Sequence, residues 1–201
     1  MLFIVNELDH HLREQRVLPG NAEIILNNIA LLESDEGEAL RSNIIITLVN
    51  LEEESTLKNT SQYQRRADGR INLVQPPVWL NLYLLFSCNF PNNYTGALSV
   101  LGQIIQFFQT FPVLNGANPL SGVVENQDVV KEDLVNMKLT FELYTLTFEQ
   151  INHLWGALGG KQVPSVLYKA RMINIQDRRV FREGPMIEEI QATLNPITED
   201  Y

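Results

Sequence analysis

The stretch VWLNLYLLFSCNF, residues 78–90, decides the fold; Pro76-Pro77 opens it and Pro91-Asn92-Asn93 closes it. Val78, Leu80, Leu82, Leu84, Phe86 and Cys88 share one parity, and Trp79, Asn81, Tyr83, Leu85 and Ser87 share the other. Such alternation predicts a strand, while the leucine content leaves a helix open. Asn81, Ser87 and Asn89 interrupt the run, which falls short of the ~20 apolar residues that a membrane-spanning helix needs.

Downstream, Ala97, Leu98, Leu101, Ile104, Ile105, Phe108 and Phe111 recur at helical spacing up to Pro112. Upstream, the β-branched run Ile44-Ile45-Ile46-Thr47-Leu48-Val49 predicts a buried strand that emerges into solvent at Glu52-Glu53-Glu54. Residues 22–29 predict an earlier strand, and Ile4, Val5, Leu8 and Leu12 form one stripe of an opening helix that Pro19-Gly20 ends. Met137, Leu139, Phe141 and Leu143 begin another period-2 strand. Thr147 followed by Gln150 has the form of a capping box, opening a helix that Gly159-Gly160 stops. A last strand is expected over residues 166–175. Two polar stretches, 55–75 and 113–133, exceed the usual connection of about 4 to 6 residues and are expected to be irregular.

The pattern predicts an α+β fold: a mixed or antiparallel sheet of about five strands flanked by helices, in a domain spanning residues 1–176. Residues 177–201 form a charged C-terminal arm, with Arg178, Arg179 and Arg182 preceding an acidic block.

Twenty-four acidic against 15 basic residues give a net charge of −9, which disfavours nucleic acid and anionic membrane surfaces as partners. The single cysteine, Cys88, excludes an intrachain disulfide and is expected to be packing. The N-terminus lacks a basic segment, a long apolar run and a cleavage site, so no signal peptide is expected. His10, His11 and His153 show no metal-ligand spacing, and consecutive Glu52, Glu53 and Glu54 alternate faces on a strand instead of converging. The Gly156-to-Gly160 cluster follows a helix and cannot offer N-terminal amides to a phosphate. No catalytic, cofactor-binding or metal-binding residue is expected, and the chain is read as a binder, not an enzyme. Basic residues concentrate at Arg65, Arg66 and Arg70 and at Arg178, Arg179 and Arg182 beside Phe181, which are expected to contact other proteins.

The stretch from Gln75 to Phe86, the helix ending in Phe111-Pro112-Val113-Leu114, residues 48–54, the strand-to-helix junction 139–148, residues 154–159 and residues 164–171 together resemble the N-terminal domain of the cap protein of extracellular contractile injection systems. The likeness runs from Met1 to about Gln176, roughly nine-tenths of the chain. It implies a phage tail-terminator-like fold and a structural role. A ring, a homo-hexamer, would close the inner tube and the sheath and hold them together, its partners being copies of itself, the inner tube protein and the sheath protein. It also implies assembly in the bacterial cytoplasm, followed by residence in the finished injection particle. The arm after Gln176 matches the family pattern least; it is expected to contact the sheath or a neighbouring subunit as an added strand. Alternatives are a baseplate or tube adaptor of the same particle, and a small-ligand domain with a pocket near Trp79, Tyr83 or Trp155.

Overall fold

The computed structural model describes residues 1–54, 63–65, 71–74, 78–122, 137–175 and 180–184. In chain order these form α1 (Leu2–Glu14), β1 (Ile24–Leu26), two 3-10 turns (Ile29–Glu33 and Asp35–Leu40), β2 (Asn43–Glu53), β3 (Tyr63–Arg65), β4 (Ile71–Val74), β5 (Val78–Asn89), α2 (Tyr94–Thr110), β6 (Val113–Asn115), β7 (Lys138–Leu143), α3 (Phe148–Ala157), β8 (Ser165–Ile175) and β9 (Val180–Gly184). They fall into two compact units, one of residues 1–54 and 79–174, the other of 55–78 and 175–201.

The larger unit is built on a six-stranded sheet in the order β1-β2-β5-β8-β7-β6. β1 and β2 run parallel, whereas β2 with β5, β7 with β8 and β6 with β7 are antiparallel. Residues 78–89 thus form a strand near the middle of the sheet. Both of its parities are apolar because both faces of the sheet are covered, as long apolar runs in central strands require. On one face Leu82, Leu84, Phe86 and Cys88 pack with Ile44, Ile46, Ala170 and the stripes of α1 and α2. On the other, Tyr83 and Leu85 pack with Ile45, Leu167, Trp155 of α3, and Ile29 and Leu40 of the 3-10 turns.

Helix α1 turns Ile4, Leu8 and Leu12 inward, and α2 does the same with Ala97, Val100, Ile104, Phe107 and Phe108. Full burial of each large apolar side chain stabilises the fold by about 1.5–3 kcal/mol. The aromatic rings add geometry: Phe108 lies 4.5 Å from both Phe141 and Tyr168, and 5.1 Å edge-on from Phe86. His11 of α1 sits 5.0 Å from Phe107 and 6.0 Å from Phe111, so it belongs to the helix–helix contact. Burial there lowers its pKa, favouring the neutral ring.

The smaller unit holds a three-stranded sheet ordered β3-β4-β9, antiparallel throughout.

Three sequence expectations change in detail. The main sheet has six strands where about five were expected; the added β6 lies inside the stretch read as irregular, 113–133. The polar stretch 55–75 contributes β3 and β4, whose three and four residues are too short for a periodic signal. The strand expected over 22–29 is limited to residues 24–26, because Asn28 caps the 3-10 turn that follows.

Candidate functional site

An open groove of about 640 Å³ lies between the start of α2, helix α3 and the ends of β7 and β8. Local sequence rules build each wall. Asn93 caps α2 by accepting from the Gly96 amide at 2.9 Å, which starts the helix with Tyr94 and brings Leu98 and Leu101 to the groove. The capping box forms as the sequence predicts: the Gln150 amide donates to Thr147 Oγ1 at 3.2 Å, and the Thr147 amide donates to Gln150 Oε1 at 2.9 Å. It sets the register in which Ile151, Leu154 and Trp155 line the groove. Gly159 and Gly160, at φ +96° and +82°, end α3 where a side chain would be strained. The chain then turns back so that Val163 and Pro164 form the next wall.

None of the lining residues is Asp, Glu, Lys or Arg. The mouth is exposed and largely apolar, with Tyr94 66% and Leu143 55% exposed. Exposed aromatic and aliphatic side chains gathered in one place mark an interaction surface more than a core defect. Trp155, 5% exposed, lines this groove as the ligand-pocket alternative anticipated, but Trp79 and Tyr83 are not among its lining residues.

A second apolar feature stands on β2. The β2–β5 register shifts between Leu48 and Asn50, so Leu48 faces Leu84 and Leu51 faces Leu82. Leu82 and Leu84 belong to the same face of β5, so the bulge turns both Leu48 and Leu51 toward that side. Both remain about half exposed, at 48% and 49%.

Polar groups gather on the opposite side of the same strands. The Tyr83 hydroxyl donates to Glu52 Oε2 at 2.6 Å, Lys169 Nζ lies 3.7 Å from that oxygen, and the Lys169 ammonium stands 5.3 Å from the Tyr83 ring centre. Burial, then the bond to Glu52, raises the phenol's pKa; the hydrogen-bonding contact with Tyr83 chiefly raises that of Lys169. Asn81 donates to Glu54 at 2.9 Å. Glu52 and Glu54 are therefore tied to separate partners, which is structural work. Cys88 is fully buried, and burial pushes its thiol up to about 12, far from a reactive thiolate. Among the described residues no three His, Cys, Asp or Glu side chains group as metal ligands.

The basic residues singled out in the sequence do not form a describable site. Arg65 lies on β3, opposite Ile71, and Phe181 and Arg182 lie on β9, Arg182 opposite Leu73. Arg66, Arg70, Arg178 and Arg179 fall outside the described residues. Within the expected arm, residues 180–184 pair with β4 of the same chain.

The fold has solved counterparts. The sheath/tube terminator of an extracellular contractile injection system, PVC, in its extended state matches with a TM-score of 0.57 at 13% identity, over 100% of this chain and 65% of that one. The tube-terminating cap of the anti-feeding prophage matches with a TM-score of 0.59 at 14% identity, over 98% of this chain and 62% of that one. The chain thus spans less than two-thirds of the length of both. No curated protein sequence matches it. Residues 2–189 match the Pvc16 N-terminal domain model, and the chain belongs to that family.

Proposed function

We infer that this protein caps a contractile injection particle, closing the inner tube and the sheath by binding their last layers as a ring of six copies. The family match over residues 2–189 carries the reading, and the correspondence with two terminator caps over essentially the whole chain supports it. The work is mechanical. A cap needs several protein-binding surfaces and no reaction step, and the uncharged groove and the leucine ridge on β2 suit contacts between subunits better than chemistry. Six-fold closure would match a six-fold tube, since a contact that repeats between unlike surfaces makes a ring when its rotation closes. Assembly would take place in the bacterial cytoplasm, before the particle is complete.

Electron microscopy of particles from cells with and without the gene tests this. Loss of particles, or bare tubes of uncontrolled length, is the expected outcome. Normal, capped particles of unchanged length would overturn it, and label on this protein at the baseplate end would make it an adaptor.

A further inference from the structure

Glu7 and His11 stand at i and i+4 on α1, so they share one face of the helix. Both reach the same stretch of chain. His11 packs against Phe107 and Phe111 at the end of α2, and the buried Glu7 accepts the Leu120 amide and both the amide and the hydroxyl of Ser121. Between these two holds run β6 and the turn after it. Their other fixings among the described residues are slight: β6 lies at the edge of the sheet, pairs with β7 along Val113–Asn115, and buries Leu114 alone. The flanking bonds join the Phe141 amide to the Pro112 carbonyl at 2.8 Å and the Gly116 amide to the Met137 carbonyl at 2.9 Å.

Each hold depends on one protonation state. A carboxylate offers acceptors alone, whereas its protonated form turns one oxygen into a donor and loses the charge that the amides face. The His11 ring is half-buried, and burial lowers its pKa below the ordinary 6.5, so it packs as the neutral imidazole. A released ring takes up a proton that the packed ring resists. The packed state is therefore fully favoured above about pH 6.5 and loses ground as acid carries the pH below it. Few charges surround the pair. α1 packs against α2 and β1; β1 carries no charged side chain, and residues 94–122, which include α2, β6 and the turn, contain no Asp, Glu, Lys, Arg or His. On α1 itself Glu14 favours and His10 opposes a charge on His11, but these two meet each other at 3.3 Å, and Asp9 pairs with Arg13. Lys138, opposite Asn115 on β7, is exposed.

We propose that Glu7 and His11 form an acid-sensitive clasp that holds residues 111–122 against α1, and that acidification frees this segment while the central sheet stays folded. Ile4, Leu8 and Leu12 keep α1 itself on the core, since their burial involves no proton. Opening uncovers the edge of β7 and leaves the Phe141 amide and the Met137 carbonyl without these partners. The clasp is independent of the cap reading.

Hydrogen exchange of the full chain at about pH 7.5 and about pH 5, each corrected for the intrinsic exchange rate at that pH, tests it. Protection over residues 111–122 should fall at least about tenfold at the lower pH and stay unchanged over β5. Equal protection of 111–122 at both values, or a parallel loss in β5, would overturn the clasp. Glu7→Gln keeps the shape of the side chain without its charge, and His11→Phe keeps a ring without its proton. Each should shrink the acid effect, and the two together should abolish it. A doubly substituted chain that keeps β5 protected and still loses protection over 111–122 in acid as the parent does would also overturn the proposal. The comparison of the parent at two pH values needs no substitution, so it decides the matter where a variant fails to fold.

Discussion

Glu7 on α1 accepts the hydroxyl of Ser121 at 2.6 Å, across 114 residues of sequence. Its carboxylate, 1% exposed, also accepts the amides of Leu120 and Ser121, so a buried charge is satisfied by one turn of chain following β6. Removing the acceptor leaves these amides without their partner inside the protein. Hydrogen bonds to a charged group are worth about 1.5–3 kcal/mol net. Glu7→Ala should therefore destabilise the fold by about 3 kcal/mol, and Ser121→Ala, which removes only the hydroxyl bond, by about 1 kcal/mol. Urea denaturation of the three proteins measures both. Equal losses in the two variants would show that Glu7 acts through something other than this turn.

Phe108 holds the aromatic centre of the first face, touching Phe86, Phe107, Phe141 and Tyr168. Truncation there empties space that rigid rings cannot collapse into. Phe108→Ala should cost about 3–5 kcal/mol and Phe108→Leu considerably less. The exposed Phe148 provides the contrast, since Phe148→Ala should change stability by under about 0.5 kcal/mol. Thermal unfolding of the variants side by side separates the core ring from the surface ring.

Much of this architecture is legible in the sequence because the long elements carry long periodic signals. The twelve residues of β5 and the seventeen of α2 repeat their pattern often enough to be read. The Thr147–Gln150 box and the Gly159-Gly160 stop have local physical causes, so they too are legible. β3, β4 and β6 are not, because three or four residues cannot display a period and their pairing is fixed by distant partners. The groove escapes sequence reading for a related reason. Its walls come from α2, α3, β7 and β8, and Leu98, Leu143 and Trp155 look like ordinary core positions until the chain is folded. Basic clusters catch the eye in one dimension, whereas an uncharged surface leaves no mark there.

Cys88 makes alkaline stability a readable quantity. Its folded pKa, about 12, exceeds the ordinary thiol value of 9.0 because burial penalises the thiolate. Above that ordinary value the unfolded chain releases the proton and the folded chain keeps it. The unfolded state then binds fewer protons, so stability falls as pH rises. The neutral thiol's contribution is fully present below about pH 9 and is lost progressively toward pH 12. Cys88→Ala should remove this part of the alkaline slope, at the cost of a small cavity. In the native protein below pH 9 a thiol reagent should modify Cys88 only on unfolding; rapid labelling without denaturant would contradict its burial.

Thr147 couples a local rule to the groove. Its side chain accepts the Gln150 amide while Gln150 reaches back to the Thr147 amide, so the two ends of the box satisfy each other. Thr147→Ala breaks the first bond and should cost about 1 kcal/mol, whereas Thr147→Ser keeps it and should cost less. Ile151, Leu154 and Trp155 of the same helix line the groove, so fraying of the first turn should loosen that wall before it reaches the sheet. Hydrogen exchange should then accelerate in residues 148–152 of Thr147→Ala and leave β5 protected. Exchange over residues 148–152 no faster in Thr147→Ala than in the parent would show that the box does not hold the start of α3.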